Sequence, residues 1–369
     1  MVEIERDPEE PGTGKPKSRT RIWLERLFFA FALLLLLITL VNASWMAPAA
    51  TGAPRLIAHR GVAQQFDHKN IDRYKTCTAA RIDPPVHEYL ENSLPSMEAA
   101  RRLGADMIEV DIAPTADGKI AVFHDWTLEC RTDGKGETRQ RTMAELKALD
   151  IGYGYTSDGG KTFPFRGRFQ GGMPTLEEAL AELPATPILF NFKSNDPAEA
   201  DQLATALKAS KRNVEKIGDA FYGAPGPSER IRQYFPKAWA WSLEAAKKCT
   251  KDYFLTGWSS MVPESCRNRT MVVPLNYQWL AWGWPNRLLD RMQKVGAHVV
   301  VSGPYREGSE NIGIDLPEQI GKIPAGFNGF IWVEDIWSIG PARRPQRDFR
   351  TEAQTKANDV AMQRRRDRD

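Results

Sequence analysis

Between residues 27 and 46 the chain carries no charged side chain, and Leu and Phe dominate the first fifteen of these positions. A run of that length can cross a bilayer. Lys15, Lys17, Arg19, Arg21 and Arg26 precede it, and Trp45 stands where an interfacial aromatic would. The same stretch also reads as a cleavable export signal, because small residues follow at Ala43, Ala47, Ala49 and Ala50. A buried core helix is the third reading, and it would have to sit beside a charged tail containing Pro and Gly. Anchor and signal alike keep the basic flank in the cytoplasm and export the folded body. The expectation is a single-pass protein of the cytoplasmic membrane with that body on the periplasmic or extracellular side, or a secreted form after cleavage.

From Arg55 onward, short apolar runs alternate with amphipathic stretches, the pattern of a parallel sheet wrapped by helices. The apolar runs fall at residues 56–58, 107–112, 188–192, 220–222, 238–241, 271–275, 298–302 and 329–333. Eight such strands predict an α/β fold closed as a TIM (β/α)8 barrel over residues 55–341. In this division residues 1–26 form a cytoplasmic tail, 27–46 the transmembrane helix or signal, and 342–369 a charged C-terminal tail, disordered or a solvated helix. Pro95 and Gly104 bracket one helix, and Thr175 with Glu178 has capping-box spacing for another. Asp117-Gly118 turns the second strand into a hairpin arm, 120–123, that ends at His124-Asp125. Two long irregular stretches, 62–90 and 152–172, interrupt the scheme as lids or disordered loops, and the first is an insert directly after strand one.

Composition excludes some classes. The 369 residues are 42% hydrophobic and 26% charged, ordinary for a globular protein and unlike a disordered or collagen-like one. The net charge of +3 comes from the tail after residue 342, with nine Lys/Arg against five Asp/Glu, so the rest is close to neutral. A near-neutral body offers no basic stripe for a nucleic-acid backbone.

Three clusters end strands in order: His59-Arg60-Gly61, Glu109-Val110-Asp111 and Asn191-Phe192-Lys193. Positions i and i+2 of a strand share a face, so Glu109 converges with Asp111 and Asn191 with Lys193. Two adjacent carboxylates repel, and a hard cation, Ca²⁺ or Mg²⁺, is the natural occupant of such a site. Paired carboxylates in a barrel also suit glycoside hydrolysis, but that chemistry gives no task to two histidines and a strand-end lysine. His68 and His87 lie in the insert, where they either touch substrate or are ordinary loop residues, and His298 reads as structural. Trp279, Trp282 and Trp284 read as packing, with a role at the rim of an acyl or headgroup site as the alternative.

The segments LIAHRG, LENSLPSMEAARRLGADMIEVDIAPTADGKIAVFHDWTLECRTDGKG and MPTLEEAL together resemble the glycerophosphodiester phosphodiesterase family. The likeness runs from Arg55 to Ser194 and fades beyond. It implies a TIM barrel in which His59 and His124 act as acid and base. Glu109 and Asp111 would hold a divalent metal, Arg60 and Lys193 would bind the substrate phosphate, and Glu91 of the Glu91-Asn92 step would lie in or near the site. The substrate implied is a small glycerophosphodiester or a lysophospholipid-like diester, cleaved in the cell envelope. The alternatives on the same fold are a phospholipase D type of reaction with a cyclic phosphate product, or an exported binding protein without turnover. The chain departs from the family at Asn191, where a Glu usually supplies the third metal ligand, in the length of the insert, and in the final strand, FIWVEDIW, where many members have a Thr-Asp-x-Pro step. Asn191 is expected to lend the metal one neutral amide oxygen, or else only to hydrogen-bond a neighbouring strand residue.

Cys77, Cys130, Cys249 and Cys266 have neither CxxC nor zinc-finger spacing. Free buried thiols and, in an exported protein, two disulfides are both open. In a barrel Cys77 and Cys130 reach the same rim, which would pair them across the insert and leave Cys249 with Cys266.

Overall fold

The computed structural model describes residues 18–72, 76–307 and 313–368. Nine strands form: β1 (Arg55–Ala58), β2 (Met107–Pro114), β3 (Ile120–Val122), β4 (Ile188–Phe192), β5 (Ala220–Gly223), β6 (Trp239–Ser242), β7 (Thr270–Pro274), β8 (His298–Ser302) and β9 (Phe330–Val333). Eight are parallel, in the order β6-β5-β4-β2-β1-β9-β8-β7, and β3 pairs antiparallel with β2. The eight expected strands are all present, each within two residues of its sequence position. The barrel is nearly closed. At the seam between β6 and β7, side chains stand in for the backbone ladder: the Trp239 indole N–H donates to Thr270 Oγ1 at 2.8 Å, and the Arg232 guanidinium bridges the Ala240 and Asn268 carbonyls.

Period-two alternation sorts the strand residues. Leu56, Ala58, Ile108 and Val110 face outward and pack on Met97 of the helix Leu94–Arg102 and on Leu103, which ends it. Ile57, Met107, Leu189, Ala220, Tyr222, Trp241 and Phe330 fill the interior. Because Met107 points inward, Glu109 and Asp111 must do so as well, and both are completely buried. The helices start where their caps dictate. Ser93 caps Leu94–Arg102, and Thr175 with Glu178 forms a reciprocal capping box on Leu176–Glu182.

The described residues of the insert, which leave out 73–75, and the stretch 152–172 are neither open lids nor loose loops. Ala79, Ile82 and Leu90 from the former join Phe123, Leu128, Tyr155 and Phe165 in a second hydrophobic core built over the β2–β3 hairpin. A disulfide between Cys77 and Cys130 crosses this layer, and a second joins Cys249 to Cys266. Such bridges typically contribute about 2–4 kcal/mol by restricting the unfolded chain.

The apolar N-terminal helix spans Arg19–Val41, earlier than the uncharged run itself. Its first turns are charged but helix-compatible, Ser18 caps them, and Arg21 pairs with Glu25 at 3.3 Å. No part of its apolar window is buried in the protein.

Of the two expectations for the C-terminal residues, a disordered tail or a solvated helix, the helix is present, but one of its faces is docked. Glu352–Arg368 is a helix, and it docks through polar side chains. Asn358 and Arg365, two turns apart and so on one face, are both buried. Arg365 meets Asp335 at 2.6 Å, Asn358 donates to Ser338 Oγ at 2.9 Å, and Arg366 pairs with Glu318 at 2.7 Å. No apolar stripe marks this face, which is why it reads as solvated. Arg365→Ala strips the buried Asp335 carboxylate of its cation, a change that typically costs about 3–5 kcal/mol. Chemical denaturation should show a clearly lowered midpoint, and an unchanged one would mean that this helix is not docked in solution.

Candidate active site

The site stands at the C-terminal ends of the barrel strands, where side chains from several strands converge without disturbing the sheet. β1 leads into His59, whose backbone N–H still donates to the Val333 carbonyl at 3.0 Å. The next two residues turn sharply, Arg60 at φ 60° and Gly61 at φ 77°. A Cβ at Gly61 would fall 2.5 Å from Ser96 Oγ, so only glycine fits. A left-handed arginine costs about 1–2 kcal/mol. Two hydrogen bonds hold it there, from Arg60 N–H to Glu109 Oε2 and from Asn92 N–H to the Arg60 carbonyl, both at 2.9 Å.

The hairpin arm explains how a residue thirteen positions beyond Asp111 returns to it. β3 runs back along β2, Phe123 N–H donates to the Asp111 carbonyl at 3.0 Å, and His124 follows at the rim. Across the barrel, Asp111 is in register with Asn191, and Asn191 with Tyr222.

Asp111 is the hub of the charge network. Lys193 Nζ lies 3.3 Å and Arg60 Nε 3.2 Å from its oxygens, and the side-chain amides of Asn92 and Asn191 each donate to it at 2.9 Å. Burial alone would raise its pKa, but Lys193 and Arg60 hold it well below the usual range. Glu109 goes the other way. Burial and the neighbouring Asp111 charge push it up, although it accepts from Tyr222 Oη at 2.7 Å and from Arg60 N–H.

Each histidine has a carboxylate on Nδ1. His59 meets Glu334 at 2.9 Å and His124 meets Asp125 at 2.6 Å. That arrangement fixes each ring and leaves Nε2 for chemistry. Their environments nevertheless differ. Burial lowers the His59 pKa most, and Arg60 adds to it, but Glu334 and Glu109 together outweigh them and the net shift is upward. At His124 burial, Arg60 and Lys193 act together and lower it to about 4. Behind His124, Arg131 pairs with Asp125, with Glu91 at 3.0 Å and with Thr78 Oγ1 of the insert at 2.7 Å. Glu91 also receives Arg60 Nη1 at 3.0 Å. Arg60, His124 and Lys193 line a cleft of about 340 Å³ whose walls include Phe66, Trp126 and the Cys77–Cys130 bridge.

Comparison with known proteins identifies the family. Residues 59–304 match the model of the glycerophosphoryl diester phosphodiesterase family, two thirds of the chain. The chain belongs to that family. A glycerophosphodiester phosphodiesterase of Bacillus subtilis is 37% identical over 93 residues, 24% of this chain and 30% of that protein. One from Caldanaerobacter subterraneus is 30% identical over 159 residues, 42% of this chain and 52% of its own length. The match thus spans about half or less of these relatives. The glycerophosphodiester phosphodiesterase structure from Agrobacterium tumefaciens aligns over 78% of this chain and 99% of its own, with TM-score 0.51 and 19% identity. The corresponding domain of a Mycobacterium tuberculosis protein gives a TM-score of 0.55 at 15% identity, again over 78% of this chain. At such identities these two likenesses concern the fold.

Among the described residues, no group of three or more His, Cys, Asp or Glu side chains is disposed to hold a metal. Glu109 and Asp111 stand side by side, and burial with mutual repulsion leaves Glu109 short of positive charge, an environment that suits a hard cation. Asn191 stands beside them, but its nitrogen and not its oxygen is turned to Asp111. A carboxylate accepts only, so an amide next to it presents its donor, and a half-turn of the amide is required before its oxygen can join a cation.

The two insert histidines differ: His68 is near enough to Glu334 to help lower its pKa, and His87 lies away from the cleft. His87 is buried against Gln64 and Trp337, and burial lowers its pKa to about 4. His68 stacks on Phe66 at 4.2 Å. His298 packs between Trp239 and Phe330. Trp282 donates its indole N–H to the Phe254 carbonyl at 3.1 Å and Trp284 packs on Phe327, whereas Trp279 is exposed. Sequence reading missed Glu334, Tyr222 and Arg131. The one available signal for Glu334 was its position, since it ends the last strand, and the last strand of a closed barrel lies beside the first. Glu334→Gln removes the charge that raises the His59 pKa, so an NMR titration of the ring protons should show His59 titrating at lower pH. An unmoved midpoint would remove Glu334 from that role.

Proposed function

We propose that the chain is a phosphodiesterase that cleaves glycerophosphodiesters or lysophospholipid-like diesters by two-histidine acid–base catalysis at the mouth of its barrel. The observation that carries this reading is the pair of histidines, each oriented by a carboxylate on Nδ1, with opposite pKa shifts, both in the field of Asp111 and Arg60; His124 lines the cleft with Arg60 and Lys193, while His59 lies outside that lining with its Nε2 4.0 Å from Glu109. At neutral pH His124 enters the reaction unprotonated and serves as base for the attacking water or substrate hydroxyl. His59, held towards its protonated form by Glu334, serves as acid for the departing alkoxide oxygen. Arg60 and Lys193 offset the charge that grows on the non-bridging oxygens. The phosphate would in turn neutralise the cations that depress His124, bringing its pKa towards the working range.

A divalent cation fits this reading. Glu109 and Asp111 would hold it, with Asn191 contributing only after its amide turns, and it would supply Lewis-acid stabilisation of the phosphate oxygens. Two carboxylates in place of three make a weak site, so Asn191→Glu should tighten Ca²⁺ or Mg²⁺ binding in calorimetry, and equal affinities would show that position 191 does not face the ion.

The N-terminal helix places the enzyme at the cell envelope in this reading, as a retained anchor. Val41 and Asn42 accept from the buried Arg291 at 2.9 Å each, and Ser44 Oγ accepts from Asn286 N–H at 2.9 Å. Cleavage near residues 43–51 would remove the first two of these acceptors and leave a buried guanidinium underpartnered.

A panel of glycerophosphodiesters and lysophospholipids, incubated with the protein with and without chelator and followed by phosphorus NMR, tests the activity. Linear phosphomonoester is expected, lost on chelation. A cyclic phosphate would mean that the substrate's own hydroxyl attacks, and no turnover on any member would overturn the enzyme reading. His59→Ala and His124→Ala should each lower kcat by on the order of 10² or more with the fold retained.

A further inference from the structure

We infer that the end of the helix Leu243–Thr256 and the turn after it form a membrane-docking surface that seats the barrel on the lipid interface beside its anchor. This rests on the reading of Arg19–Val41 as a retained transmembrane helix.

Exposed large apolar side chains are sparse on the barrel but not evenly spread. Outside the N-terminal helix, ten are exposed among the described residues. Five of them, Trp45, Met46, Leu255, Trp258 and Met261, belong to two segments that meet where the helix leaves the barrel. Their neighbourhood is fixed by hydrogen bonds. Asn42 Nδ2 donates to the Trp258 carbonyl at 2.9 Å. Arg291 donates to the Val41 carbonyl, to Asn42 Oδ1 and to Ser260 Oγ, each at 2.9 Å, and to Tyr253 Oη at 3.1 Å. A buried cation on the last carbonyls of a helix also complements the helix dipole, so the junction is a clamp and not a free linker.

The composition of the patch names its occupant. A helix of 23 residues, with mean hydropathy 2.4 over its most apolar 18, ends within hydrogen-bonding distance of Trp258, so if that helix spans a bilayer the headgroup boundary lies at this patch. Trp is the side chain favoured at that depth, because its ring is apolar and its N–H is not. Lys247, Lys251 and Leu255 follow at i, i+4 and i+8 on one helical face, and all three are exposed. Two lysines above an apolar edge suit anionic lipid headgroups, the lysine stems lying on hydrocarbon and the ammonium groups among phosphates. A protein partner would leave the anchor's exit, with Trp45 78% exposed, unexplained.

The test uses the full chain in vesicles of phosphatidylcholine and phosphatidylglycerol, with a photoreactive benzoylphenylalanine placed singly at 255, 258 or 261. Val360, exposed on the C-terminal helix, is the control position. Because these side chains face solvent, the replacements leave the core intact. Lipid adducts at the three positions should exceed those at 360 several-fold, and Lys247→Glu with Lys251→Glu should reduce them when phosphatidylglycerol is present. Protein that is washed from the vesicles by alkaline carbonate would overturn the anchor reading itself. Protein that stays bound yet gives no lipid adducts above the control, or gives adducts to a second copy of the chain, would overturn the docking surface and leave the anchor standing.

Discussion

Two carboxylates one residue apart on the inner face of a strand cannot be left alone in a low-dielectric interior. Once Met107 commits β2 to its register, Glu109 and Asp111 are buried inside the barrel mouth, and their compensation must come from elsewhere in the chain. Arg60 arrives from the end of β1 in a left-handed turn, Lys193 from the end of β4, and two asparagine amides cover the remaining oxygens of Asp111. The local backbone conformation, the helix start at Ser93 and the inward turn of Asn191 all serve this one electrostatic requirement. The same cations that neutralise Asp111 are the ones available to a phosphate, so the ion pairs seen here and the binding of a substrate anion draw on a common set of charges.

That sharing also separates the two histidines. Both rings feel Arg60, His124 feels Lys193 as well, and burial acts against the charged form of each. One further difference is the charge left on the carboxylate behind the ring. Asp125 is already neutralised by Arg131, so it orients His124 without strongly favouring its protonation. Glu334 gives its charge chiefly to His59 and raises it. One pattern of ring and carboxylate thus yields two opposite titrations, decided by what surrounds each pair: Arg60 and Lys193 beside His124, against Glu334 and Glu109 around His59.

The strands, the hairpin, the two capped helices and most of the site were legible in the sequence because each depends on short spacing. Alternation places Glu109 with Asp111, a capping box announces Leu176–Glu182, and Asp117-Gly118 brings His124 home. What could not be read depends on long-range placement. Glu334 reaches His59 from 275 positions away, and Arg131 links the insert to Glu91 by a fold of the loop that no local pattern encodes. The C-terminal helix buries a polar face, and a hydrophobicity pattern has no mark for that. The direction of the Asn191 amide depends on the groups already around Asp111, which residue type alone does not show.

Three arginines, Arg131, Arg291 and Arg365, are each at most 8% exposed, and each ties a peripheral segment to the barrel. Arg131 holds the insert at Thr78 to the carboxylates of the site, Arg291 holds the exit of the N-terminal helix, and Arg365 holds the C-terminal helix to Asp335. A buried ion pair is weak evidence of net stability against an apolar replacement, but losing one partner is costly, so its consequence is registry. Apolar contacts alone would let the insert or the terminal helix slide on the barrel, whereas a guanidinium with several fixed acceptors permits one position. Asp335 adjoins Glu334 in sequence, so the clamp on the last helix is set one residue from the carboxylate that governs His59. The periphery and the proton chemistry are therefore joined through the backbone of a single strand end.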